Sequence, residues 1–184
     1  MNNVVVLFRA AWCLPRCRCM VGADMTSDLS SNPFWDYSLA TYGRPQVAEI
    51  CLALQDNFEI DVNFLLYALW LGSGGYELTE THLSALEGEV ARWRAEVLKP
   101  LRALRRQLPV DGPGAAIRDE IRAIELRAER RQQDLMYLYR ESAELESTTG
   151  ALPIVNLERV AALFAGDIGP CKALLQRLTE LLET

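Results

Sequence analysis

The chain is acidic, with a formal net charge of −6 over 184 residues, and half of its residues are hydrophobic. That balance argues against a general nucleic-acid binder, whose domain is usually basic, and it supplies enough apolar side chains for one core. The single histidine, His82, excludes a His-rich metal site and leaves any Cys–His or Ser–His relay one base to use.

Residues 1–31 read as an extension ahead of one helical domain over residues 32–184. Val4–Phe8 is a short apolar run, and Arg9, Arg16 and Arg18 follow it instead of preceding it, the reverse of a signal peptide. Cys13, Cys17 and Cys19 form a thiol cluster. A structural zinc site wants two separated ligand pairs, and no second pair exists, so the segment is expected to be disordered. Met25, followed by polar residues, is an alternative start. Cys51 and Cys171 stand singly on apolar helix faces and read as buried thiols of a reducing, cytoplasmic compartment.

Asn32-Pro33 opens a first helix, with Asn as the cap and Pro in the first turn. It carries Phe34, Trp35, Tyr37, Leu39 and Tyr42 and stops at Gly43. A second starts at Pro45 with Val47, Ile50, Cys51 and Leu54. Asp61 caps a third over Val62–Leu71, which is apolar nearly all round and therefore central. Its ten residues span about 15 Å, half a bilayer core, so it is not a transmembrane segment.

Two long heptad-spaced segments follow, about 80–108 and 114–147. Leu83, Leu86, Val90, Trp93, Val97, Leu101, Leu104 and Leu108 form one ridge; Ile117, Ile121, Ile124, Ala128, Leu135, Leu138 and Leu145 form the other. Steps of three and four place each set on one helix face, and the Pro/Gly-rich turn 108–114 folds them into an antiparallel hairpin. Pro100 is expected to kink the first arm by removing the bond to the Glu96 carbonyl. After a break over Thr148–Pro153, Asn156 is expected to cap a helix over Leu157–Ala165, and Pro170 to open a last one through Leu182. The fold class is all-α: a compact three-helix base, the long hairpin and two short C-terminal helices.

Chemistry is harder to locate. Gln55, Asp56, Asp61 and Asn63 fall in one polar stretch that offers oxygen ligands to a cation. The EF-hand pattern is absent, and so are the Glu-x-x-His pairs of a di-iron site. Asp61 is explained as a cap, whereas Asp56 lies near a helix C-terminus, where negative charge is unfavourable unless a partner such as Arg44 offsets it. Trp35 and Trp70 belong to an aromatic group that lines either a pocket or a core. Arg92, Lys99, Arg102 and Arg106 share the face away from the Leu/Val ridge, a positive strip about 20 Å long. Such a strip contacts phosphates or an acidic partner, or is a solvated face paired to Glu96, Glu120 and Glu125; no aromatic residue interleaves with it for base stacking. His82 falls in a first turn, where exposure is expected. No phosphate-binding loop or nucleophile elbow is present, and no cofactor or metal is implied.

Phe34-Trp35-Asp36-Tyr37-Ser38-Leu39, Tyr42, Cys51-Leu52-Ala53-Leu54-Gln55-Asp56, Asp61-Val62-Asn63-Phe64-Leu65-Leu66 and Trp70-Leu71, continued by Trp93-Arg94, Pro100-Leu101-Arg102 and Arg105-Arg106, resemble a family of small uncharacterised proteobacterial proteins, the domain of unknown function 2390 family. The similarity covers about residues 33–135. It implies a bacterial, cytoplasmic protein and carries no catalytic residue across. The expected role is a non-enzymatic protein-interaction or adaptor module whose partner is another protein or a second copy. One alternative is a ligand- or cation-binding protein or enzyme using Asp56, Asp61 and Asn63; another is an RNA-associated factor using the Arg92–Arg106 strip.

Overall fold

A computed structural model describes residues 31–183 apart from positions 144, 146 and 151; Cys13, Cys17 and Cys19, with nearly all of the extension, lie outside the described residues. The fold is all-α: α1 Pro33–Tyr42, α2 Val47–Phe58, α3 Val62–Ser73, α4 Glu80–Trp93, α5 Lys99–Gln107, α6 Ala115–Ser142, α7 Leu152–Ala165 and α8 Lys172–Glu183. Among the described residues the only ladder contact is an isolated bridge between Tyr76 and Ser147.

Local chemistry starts the helices. Asn32 Oδ1 accepts from Trp35 N at 3.1 Å, Asp61 Oδ1 from Asn63 N at 2.8 Å and Thr79 Oγ1 from His82 N at 3.1 Å. Each satisfies an otherwise orphaned amide of a first turn. The second helix begins two residues later than Pro45 suggests, because Gln46 takes a left-handed conformation, φ 66°.

The third helix is central as expected: Phe64 to Leu69 are fully buried, and each large apolar side chain there contributes roughly 1.5–3 kcal/mol through burial. It packs against α1, α2, α6 and, most extensively, α7. It also continues through Gly72 instead of stopping there. Gly72 is needed for proximity: a Cβ at this position would lie 2.7 Å from Pro153 Cα and N, so only glycine lets α7 approach.

The hairpin is present, with three corrections. The arm 80–107 is helical without a break, but a π-turn over Arg94–Leu98 joins α4 to α5, with Lys99 N–H bonded to Arg94 O. The widened turn precedes Pro100 and gives its ring room against the upstream carbonyl. The second arm ends at Ser142, not near 147. The two ridges are also not buried along their full length. Leu83, Leu86, Val90, Ile121 and Ala128 are buried, whereas Leu104, Ile117, Ile124 and Leu138 each keep 44–54 % of their surface in water. In their place the distal seam buries Arg105 against Glu125.

Asn156 is not a cap. It lies inside α7, fully buried, accepting from Leu78 N at 2.8 Å and donating to Tyr76 O at 2.9 Å and Ala68 O at 3.3 Å. Pro170 sits in a 3-10 turn, Gly169–Cys171, ahead of α8. Cys51 and Cys171 are buried free thiols, and burial pushes the Cys51 thiol up to about 12.

Candidate functional site

The two candidate sets read from the sequence, one acidic and one basic, meet at a single groove of about 490 Å³. Gln55 and Asp56 reach it from the last turn of α2. Glu59 takes the left-handed conformation that closes that helix, φ 56°, a position usually given to glycine. Asp61 caps α3 beneath them. Arg94 enters from the π-turn, Lys99, Arg102 and Arg106 from α5, and Phe164 from the end of α7.

The floor is a network of charges on well-fixed side chains. Asp61 uses one oxygen as a helix cap; its other, Oδ2, accepts from Arg94 Nη1 at 3.2 Å and from Gln132 Nε2 at 3.3 Å. Arg94 also donates to Glu87 and lies over the rings of Phe64 and Phe164, 5.9 and 5.4 Å from their centroids. Burial alone pulls the Arg94 guanidinium down, but Glu87 and Asp61 outweigh it and hold it above its ordinary range. Arg102 donates to Glu129 Oε1 at 2.8 Å and lies 3.5 Å from Glu125 Oε1. It too is held up, burial being opposed by Glu129, Asp61 and Glu125. At Glu129 burial wins over Arg102, with Glu125 and Asp61 adding to the upward push. Asn63 lies behind the groove, accepting from Gln133 Nε2 at 2.8 Å.

The rim is different. Among the described residues Lys99 and Arg106 on one side, and Asp56 and Glu59 on the other, are exposed and make no ion pair. Arg44 does not partner Asp56; it donates to the carbonyls of Leu181 and Leu182 at the end of α8. The groove therefore has a floor of internally paired charges and a rim of two cations facing two anions.

The structure separates other candidates. Trp35 is half-buried on α1 beneath the Arg130 guanidinium, 5.0 Å from the ring centroid. Trp70 stacks on Phe34 at 5.2 Å. Neither lines the groove, so the aromatic and acidic sets do not form one site. The basic strip is also not one surface: Arg92 pairs with Glu96 at 3.0 Å, while Arg102 turns inward. His82 is buried, with Nε2 3.0 Å from Tyr67 Oη and its ring 4.9 Å from that of Tyr139. Burial, helped by Arg140, lowers its pKa to about 4, which leaves a neutral imidazole.

Sequence reasoning missed Arg94, Arg105, Glu129 and Phe164; Glu125, offered there as a partner of the basic strip, does lie 3.5 Å from Arg102 Nε. Arg105 and Glu125 carried no signal of burial, since each interrupts an apolar ridge only when its partner is known. A second groove of about 550 Å³ between α4 and α7 has Arg159 committed to Glu77 and Leu78 O and Glu158 to Lys172, while Glu80 is exposed and makes no ion pair among the described residues. Among the described residues no group of His, Cys, Asp or Glu is arranged to hold a metal, and no helix is long and apolar enough to cross a membrane.

The fold and groove define an all-helical protein built on a hairpin. Residues 33–136, more than half of the chain, match a family described as a protein of unknown function, DUF2390, and the chain belongs to that family. No curated protein and no solved structure matches it.

Proposed function

We propose that this protein is a non-enzymatic, cytoplasmic bacterial protein-interaction module that works through its helical hairpin. One observation carries the reading: Leu104, Ile117 and Ile124 keep 46–54 % of their surface in water, although Leu83, Leu86, Val90, Ile121 and Ala128 of the same ridges are buried. Aliphatic residues at heptad spacing on an open hairpin suit a helical partner. The test is site-specific photo-crosslinking in native cells, with the reactive residue at position 124 or, as control, at exposed Asp167. Adducts at 124 alone support the reading; equal or absent adducts discard it.

A second reading, a ligand site in the charged groove, rests on the rim. Lys99 and Arg106 opposite Asp56 and Glu59 suit a dipolar or anionic molecule better than a bare cation, because Arg94 and Arg102 already pair with the floor acids. Pyrophosphate and citrate are suitable probes. A rise in melting temperature that Lys99→Glu with Arg106→Glu abolishes supports it; no rise with either probe removes it. The RNA reading is the weakest, since Arg102 is held by Glu129 and Arg92 by Glu96, which breaks the strip.

A further inference from the structure

The ridge of α6 has two sides, and the fold covers one. Ile117, Ile121, Ile124 and Ala128 run at alternating steps of four and three. Ile121 and Ala128 are buried, whereas Ile117 and Ile124 keep 54 % and 49 % of their surface in water. The facing arm repeats this: Leu101 and Leu108 are half-buried, and Leu104 between them keeps 46 %. At 100° per residue Leu104 lies on the flank of α5 roughly opposite Lys99 and Arg106. The open flank is therefore distinct from the charged groove.

A two-helix hairpin closes only half of such a seam. Ridges at this spacing become enclosed when four helices meet, each pair filling the other's groove. We infer that the covering element is a second copy of this chain, hairpin against hairpin, about a two-fold axis at Ile124. The inference rests on the hairpin being the interaction element proposed above, and it commits that element to self-association.

Charge selects the second copy over an unrelated helix. Glu120 and Arg127 flank Ile124, four residues before it and three after. Both are exposed, and among the described residues neither makes an ion pair. Antiparallel apposition about Ile124 brings residue 120 opposite residues 127 and 128 of the second copy. Two-fold symmetry makes the contact twice, Glu120 to Arg127 and Arg127 to Glu120. A parallel arrangement would set each charge against its own kind. The surface is thus complementary to itself in one orientation, with an aliphatic centre and an ionic rim.

Sedimentation velocity of the full chain across a hundredfold concentration range tests this. The expected result is a monomer–dimer equilibrium weakened at least about tenfold by Ile124→Glu. That side chain already faces water, and circular dichroism with a cooperative melt confirms that the variant is folded. Glu120→Arg and Arg127→Glu should each weaken the dimer, and the two together should recover most of it, a rescue that loss of folding cannot imitate. A chain monomeric at every concentration overturns the inference, as does a dimer indifferent to Ile124→Glu or a double swap without recovery. The two readings fail separately: a monomer whose position 124 crosslinks to a different protein sinks self-association and keeps the interaction module. A dimer indifferent at 124, with no adduct there, removes both.

Discussion

Arg105 and Glu125 face each other across the distal hairpin, Nε 2.5 Å from Oε2 and Nη2 3.2 Å from Oε1, with side chains only 8 % and 1 % exposed. Arg102 reaches the same carboxylate from one turn away, at 3.5 Å. The hairpin thus closes on a buried ion cluster where an aliphatic ridge was expected. Desolvating such ions costs several kcal/mol and is repaid only by good geometry. Removing one partner should therefore be far worse than replacing both. Glu125→Ala or Arg105→Ala should cost about 3–5 kcal/mol, and Arg105→Met with Glu125→Leu should be near neutral. Urea denaturation of the three variants measures it; a single variant as stable as the double replacement would contradict the assignment.

His82 makes stability depend on pH in a stated direction. Its folded pKa is lowered to about 4, below the usual 6.5 or so, by burial first and by Arg140 second. The unfolded chain therefore takes up a proton that the folded chain refuses. Stability should be level above about pH 7, fall as pH drops from about 6.5 to 4, and stop falling below that, with a total loss of about 3 kcal/mol. His82→Gln should flatten this step while leaving carboxylate titration at lower pH. Chemical denaturation at intervals between pH 7.5 and about 4 reads it directly; an unchanged slope in the variant would refute it.

How much of this was legible follows from the range of the interactions. Asn32, Asp61 and the Gly112–Gly114 turn act on neighbouring backbone, so chain order and helix starts could be read from spacing alone. The central helix was legible because nine of its twelve residues are buried and apolar character on every side has one cause. What could not be read depends on partners far along the chain. His82 does sit in a first turn, but it looked exposed because its burial is made by Tyr67 and Tyr139. Asn156 looked like a cap because an amide that satisfies a backbone N–H has the same local chemistry whether that N–H is its own helix's or that of Leu78. The groove joined two sets read as rivals, since nothing in the sequence said that α5 lies beside the end of α2.

Asn156 provides a separate test of that interior. Its side chain serves three backbone groups, Leu78 N, Tyr76 O and Ala68 O, from inside α7. Asn156→Ala leaves buried backbone groups unpaired and should cost about 2–3 kcal/mol, well above the few tenths expected for an ordinary exposed helix position. Asn156→Asp keeps the acceptor for Leu78 but loses both donors, so it should fall no closer to wild type than Ala does. Hydrogen exchange should speed at Leu78 in the Ala variant and stay slow in the Asp variant. Equal exchange in both would show that Asn156 Oδ1 is not the acceptor.

Gly72 should tolerate no side chain at all, for a reason that differs from the usual one. Its φ is not left-handed, and it lies inside α3, where alanine would normally stabilise by up to about 1 kcal/mol. The obstacle is the start of α7: a Cβ would sit 2.7 Å from Pro153 Cα and N and 3.0 Å from the Leu152 carbonyl carbon. These are backbone atoms, so relief requires α7 to move away from α3, along the most extensive contact in the fold. The clash should outweigh the helix-propensity gain, and Gly72→Ala should lose about 1–3 kcal/mol. Gly88→Ala is the matched control: also within a helix, with nothing within 4 Å of the added Cβ, it should gain stability by up to about 1 kcal/mol. Thermal melts of the two variants should shift in opposite directions; a rise in both would mean that α7 does not approach α3 at Gly72.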